Sequence, residues 1–249
     1  MSLKSSLIVG SFKEAFPQET GLYGPEKIDF SKFYEKLVIA PRFSLENNPA
    51  VRHLISYCPI LRNNRNTGDL EVLLYQRPDK KSGNQGEDRL AGDYSIGFGG
   101  HFEFHELSRM IEAVKTSEEG GALVGEAFIQ STARELDEEI KTVDEPVSFQ
   151  HLVVGSPEVS RMIIDNSNNV GLHHVGLSTF FRVIDGVDFE AGVDEETSIK
   201  IVGWFTPQQI NNEYFDRLES WSKMLNNYLV VETGILKEKY ATEDASGAV

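Results

Sequence analysis

The chain has 249 residues, of which 40% are hydrophobic and 25% charged, with a formal net charge of −15. That length and composition suit a soluble globular protein able to bury a proper core. The acidic balance argues against adhesion to nucleic acid or to an anionic membrane. Cys58 is the only cysteine, so no intrachain disulfide can form. No apolar run reaches transmembrane length or follows a basic N-terminal region, and the expected location is the cytoplasm.

Residues 1–50 show no strong period and read as an N-terminal extension packed on the main domain. Within it, Phe30, Phe33, Tyr34 and Leu37 fall at helical spacing, and Pro41 ends that helix. A main domain is expected over 51–235, followed by a flexible tail over 236–249. The apolar run Leu54 to Leu61 and the strand Leu70 to Tyr75 flank a polar turn, Asn63 to Asp69, and predict a hairpin. Pro78 to Gly92 is a long polar loop of the kind that often carries function. Ser95 to Phe98 reads as a strand leading into Gly99-Gly100. Leu107, Met110, Ile111 and Val114 then mark an amphipathic helix ended by Gly120-Gly121. A second helix is expected from about Glu126 to Thr142, burying Ile129, Ala133, Leu136 and Ile140. Strands are expected near 148–155, 174–184 and 199–205. Thr206 and Pro207 have the chemistry of an N-cap and a first helical position. Phe215, Leu218, Trp221, Leu225 and Tyr228 mark a last helix. Strands and helices are mixed without regular alternation, so the class is α+β or a mixed-sheet α/β sandwich.

The densest chemistry lies in Arg134-Glu135-Leu136-Asp137-Glu138-Glu139. Positions three and four apart share a helix face, so Glu135, Glu138 and Glu139 point the same way. Like charges there repel, and a multivalent cation reverses the sign. Hard oxygen ligands on a short arc suit Mg2+ or Mn2+, which keep several waters and take phosphate oxygens as further ligands. A solvated acidic face is the alternative when the run is taken alone.

Its surroundings resemble the Nudix (MutT-like) hydrolases. Glu126 precedes Arg134 by the seven intervening residues of that family's signature, and Arg134, Glu135, Leu136, Glu138 and Glu139 match it. Gly99-Gly100-His101-Phe102-Glu103 looks like the family's glycine opening, and Gly125-Glu126 like its Gly-Glu pair. The two pieces are nearly continuous in most members. Here about twenty residues, 104–124, stand between them as a helical insertion. Gly120 also has the literal signature spacing from Glu126, but Gly99-Gly100 follows a strand, where the turn is needed. Lys141 replaces the glycine that usually follows the helix. Further matches, among them Arg89 to Gly92 and Ser95 to His101, resemble a less-studied group of predicted phosphoesterases.

The resemblance implies an α/β/α sandwich around a mixed sheet and a metal-dependent hydrolase that cleaves a diphosphate linkage in a nucleoside diphosphate joined to another group. It implies metal ligation by Glu135, Glu138 and Glu139, aided by Glu126 and the Gly100 carbonyl, with Mg2+ or Mn2+ as cofactor. Arg134 would pair with a neighbouring glutamate and fix the loop–helix geometry. Glu195 and Glu196 are candidate general bases. Arg77, Arg89, His101 and Glu103 are weaker candidates for substrate contact, each balanced by a reading as solvated loop charge or structural polarity. His173-His174 reads as core and surface histidines rather than a metal pair, since strand neighbours face opposite ways. Cys58 reads as a core thiol. The expected partner is a small nucleotide-type molecule, with homodimerisation the default. The competing reading is a Nudix-fold sensor or binding module that recognises a nucleotide-like ligand without turnover. A prenyl-diphosphate-type isomerase is disfavoured, because Cys58 lacks a matching context.

Overall fold

The computed structural model describes residues 7–27, 35–46, 48–78, 90–102, 104, 129, 132–137, 139–144, 147–155, 161–192 and 199–246, with backbone alone at 25 and over 235–246. The expected helix around Phe30, Phe33 and Tyr34 lies outside these residues. So do most of the Pro78 to Gly92 loop, nearly all of the 104–124 insertion, and Arg89, Glu103, Glu126, Glu138, Glu195 and Glu196.

The protein is a mixed α+β structure. Its largest sheet comprises β1 (Leu7–Phe12), β2 (Gly21–Tyr23), β3 (Leu37–Pro41), β4 (Val51–Ser56), β9 (Arg161–Ile164) and β10 (His174–Ser178), in the order β2-β9-β10-β4-β1-β3. β10 and β4 are parallel, with His174 opposite His53 and Val175 opposite Leu54. A short helix, α1 (Arg42–Glu46), follows β3, and another, α3 (Asn169–His173), leads into β10. The second sheet joins β5 (Ile60–Asn63), β6 (Leu70–Gln76), β7 (Tyr94–Ser95), β11 (Phe181–Arg182) and β13 (Lys200–Phe205). The expected hairpin is β5–β6, with Leu61 opposite Val72. The apolar run before it is divided between the two sheets, breaking at Tyr57 to Pro59.

Residues 97–102 run antiparallel to residues 54–59 in one unbroken register. Cys58 bridges to Phe98 and Ile55 to His101. Side chains alternate across this strip. Leu54, Cys58, Phe98, Phe102, Val175 and Leu177 face the main core, where they meet Ala133, Leu136 and Ile140. On the other face, Tyr57 and the partly buried Ile55 pack with Trp221 and Leu225. Trp221 and Leu225 belong to the last helix, α5 (Ser220–Ser246).

The glutamate run is helical over 132–137. It buries Ala133 and Leu136 fully, with Ile129 partly buried against the same core. Burying one such leucine contributes about 2 kcal/mol. After Glu139 the chain enters β8 (Ile140–Thr142), which pairs with β12 (Phe189–Ala191). Lys141 stands opposite Glu190 in that ladder. The helix therefore passes straight into a strand, and no left-handed turn is needed where the signature has glycine.

One expected strand is replaced. The 148–155 region contains α2 (Phe149–Leu152), a single helical turn. The Asp137 carboxylate accepts from the Phe149 amide at 2.6 Å and from the Ser148 hydroxyl at 2.9 Å. It thus serves donors at the start of the turn, which an alternation pattern does not register. The expected start at Thr206 is present. In α4 (Pro207–Glu213), Thr206 and Gln209 form a reciprocal capping box with Pro207 in the first turn. Among the described residues, no helix is long and apolar enough to cross a membrane.

Candidate functional site

On the core side of the strip, the Gly100 turn and the glutamate helix meet. A Cβ added at Gly100 would lie 2.9 Å from Glu135 Oε2 and 3.2 Å from its Cδ. The carboxyl group therefore rests against bare backbone. Arg134 Nη2 donates to Glu135 Oε1 at 2.7 Å. Both side chains keep partial solvent access, 36% and 22%. The Gly100 carbonyl accepts from the Ser56 amide at 2.9 Å, and the Ser56 hydroxyl accepts from the Gly100 amide at 3.0 Å. These bonds pin the turn to β4. Glu139 is half-buried, and its carbonyl accepts from the Gly192 amide at 2.7 Å. Burial pushes the Tyr75 phenol upward in pKa, and Glu139 adds to that push. Cys58 is a buried core thiol, raised to about 12 by burial.

On the opposite face lies a cavity of about 580 Å3. Arg77 and Glu219 stand in its wall as a bidentate pair, at 2.8 and 3.2 Å. His101 also lines it, facing away from Glu135. Two histidines that sequence reasoning left unassigned to a site, His53 and His174, lie beside His101 there. The signal that unites them is the parallel register of β4 and β10, which sequence spacing alone does not reveal.

One rim of the cavity is shaped by Asp165, which is fully buried. Its Oδ1 accepts from the Ser167 amide and hydroxyl at 2.8 and 2.6 Å. Its Oδ2 accepts from Asn168 Nδ2 at 2.8 Å and the Ser220 hydroxyl at 2.6 Å. Burial opposes the charge, but the hydrogen bonds from Ser167, Ser220 and Asn168 outweigh it and lower the pKa below the ordinary carboxylate value. This carboxylate ties the start of α3, capped by Asn168, to the start of α5. Asp165→Ala should cost about 2–4 kcal/mol at pH 7, measured by urea unfolding. Because the folded pKa is depressed, that stabilisation is complete above the unfolded value near pH 4. It is lost as pH falls through the folded value, so the gap between wild type and variant should narrow only below about pH 4.

No family model matches the chain. Protein YmaB from Bacillus subtilis is 28% identical over 189 residues, covering 76% of each chain. Among solved structures, Tm1382, a candidate Nudix hydrolase, superposes with a TM-score of 0.55 at 18% identity, covering 90% of this chain and 97% of its own. The chain has the Nudix fold. A Nudix hydrolase from Alicyclobacillus acidocaldarius aligns at 13% identity and a TM-score of 0.43, over 72% of this chain and 91% of its own. The Nudix likeness to Tm1382 is one of architecture; at this identity it does not by itself assign a reaction.

Proposed function

We propose that the protein is a metal-dependent hydrolase that cleaves a diphosphate linkage in a nucleoside diphosphate joined to another group. The observation that carries this reading is the seating of Glu135 against Gly100. The two halves of the motif, interrupted in sequence by about twenty residues, come together in space. A glycine at 100 keeps the approach to the carboxylate open. The Glu135 carboxylate and the Gly100 carbonyl are hard oxygen donors of the type Mg2+ or Mn2+ selects. Glu135, Glu138 and Glu139 would hold the ion, with support from Glu126 and the Gly100 carbonyl. Arg134 orients one oxygen of Glu135 through its 2.7 Å bond. The ion would neutralise diphosphate charge and activate a water. With a chain this acidic, that local positive charge is needed to hold an anionic substrate.

The test is a panel of dinucleoside polyphosphates, nucleotide sugars, dinucleotide cofactors and nucleoside triphosphates incubated with Mg2+ or Mn2+. A mononucleotide or pyrophosphate should be released from one class. Glu139→Gln and Glu138→Gln should each lower turnover more than about 100-fold, beyond the usual cost of losing a group that only supports a ligand. Tight binding without product across the whole panel would overturn the proposal and favour a sensor.

A further inference from the structure

We propose a second metal site, distinct in position and ligand chemistry from the glutamate helix: a three-histidine centre formed by His53, His101 and His174 that takes Zn2+ or a similar late transition-metal ion. One ring nitrogen from each residue lies within 4.8 Å of the other two. The ring centroids are 5.0 Å (His53–His174), 5.5 Å (His101–His174) and 5.7 Å (His53–His101) apart. Three imidazoles bound to one tetrahedral zinc at Zn–N of about 2.0–2.1 Å have centroids about 5 Å apart. The rings thus already stand close to the spacing of a coordinated trio, and small rotations bring the nitrogens in.

Hydrogen bonding points the same way. Buried polar atoms are normally satisfied. His53 is fully buried, yet among the described residues neither of its ring nitrogens has a hydrogen-bond partner, and His101 Nε2 is buried and equally unmatched there. The Leu45 carbonyl lies near enough to influence the charge of His53 but outside hydrogen-bond geometry. His174 Nδ1 meets the Val170 carbonyl at 2.6 Å. A carbonyl only accepts, so Nδ1 carries the proton and Nε2 presents its lone pair. A backbone carbonyl fixing the tautomer in this way is the usual outer support of a metal-bound histidine. The main chain is fixed too, because the buried Arg52 guanidinium donates to the carbonyls of Gly171 and His174 at 2.9 and 3.1 Å.

The cluster supplies nitrogen only, which excludes Mg2+ and Ca2+ as preferred ions and suits Zn2+, Co2+ or Ni2+. Three protein ligands leave a fourth position, and all three histidines line the 580 Å3 cavity. Water or an anionic oxygen would complete the tetrahedron from that side. Arg42 at the rim opposes positive charge at all three rings, and its partner Glu46, 2.7 Å away, offsets part of that opposition.

The experiment uses the full-length chain stripped with a chelator and then titrated with Co2+ or Zn2+ alone. One equivalent of Co2+ should produce the visible bands of a tetrahedral nitrogen site, displaced by Zn2+. The bands should persist in Glu135→Gln and Glu139→Gln. His101→Ala and His174→Ala should each weaken binding at least about 100-fold while circular dichroism stays unchanged. In the wild type, nitrogen NMR should show Zn2+ shifting three of the six histidines, a reading that survives even if a variant fails to fold. Absence of bands and shifts in folded wild type would overturn the proposal. So would binding that survives both histidine variants, or that disappears only in the glutamate variants.

Discussion

On the proposed hydrolysis, Gly100→Ala is expected to lower kcat/KM at least about 10-fold, while stability stays within about 1 kcal/mol of wild type. The added methyl would stand 2.9 Å from Glu135 Oε2, so the carboxylate must retreat by several tenths of an ångström. A flexible side-chain end retreats cheaply, and reducing the freedom of the unfolded chain offsets part of the cost. A misplaced ligand is expensive in catalysis, where displacements near 1 Å cost about 100-fold. Gly97→Ala should behave in the opposite way. Its methyl would overlap the ring of Tyr57. Tyr57 cannot swing aside, since its hydroxyl is held at 2.9 Å by Ser95 and 2.6 Å by Ser222. Overpacking of this kind costs about 1–3 kcal/mol or more. A thermal melt should register it as a fall of several degrees. Steady-state kinetics and melts on the pair separate loss of a ligand from loss of the fold. Equal melting points for the two variants, or full activity in Gly100→Ala, would contradict the geometry.

The second large effect is expected at Arg77. Its partner Glu219 is only 7% exposed, whereas Arg77 keeps 31% of its side chain in solvent. Arg77→Ala leaves the Glu219 carboxylate buried without its bidentate partner, which should cost about 3 kcal/mol. At this chain length the melting point should fall by about 6–12 °C. The double variant Arg77→Ala/Glu219→Ala should recover part of that loss, because both charges are then gone. A residue that only gripped substrate would raise KM and leave the melting point unchanged. Arg77 lines the cavity, so both readouts belong in one experiment.

Local rules made several elements legible. The apolar spacing of Ile129, Ala133 and Leu136 marks the packed face of the helix; Ile140, expected to continue it, is buried as the first residue of β8. Thr206-Pro207 announces its helix through capping chemistry alone, and the Asn63 to Asp69 turn announces its hairpin. The glycine turn and the glutamate helix each carry their own signature, and the fold sets Gly100 of the one against Glu135 of the other. Elements set by distant partners were not readable. The turn at Phe149–Leu152 depends on Asp137, across a loop, for its amide and hydroxyl partners. The histidine cluster draws on β4, β10 and the strand at His101, and only their lateral order brings the rings together. The adjacent pair His173-His174 does not reveal this grouping. The relevant neighbour of His174 is directly across the ladder.

The unbroken register between residues 54–59 and 97–102 carries one more consequence. Gly100 and His101 are adjacent in sequence and face opposite sides of one bridged segment, so a single-residue deletion just before them would put His101 in the place of Gly100 and Phe102 in that of His101. An imidazole would then press on Glu135 while the histidine trio lost a member. Both proposed sites thus depend on the same backbone register. A change of length in this segment would disturb both proposed sites at once, whereas a substitution can alter one alone.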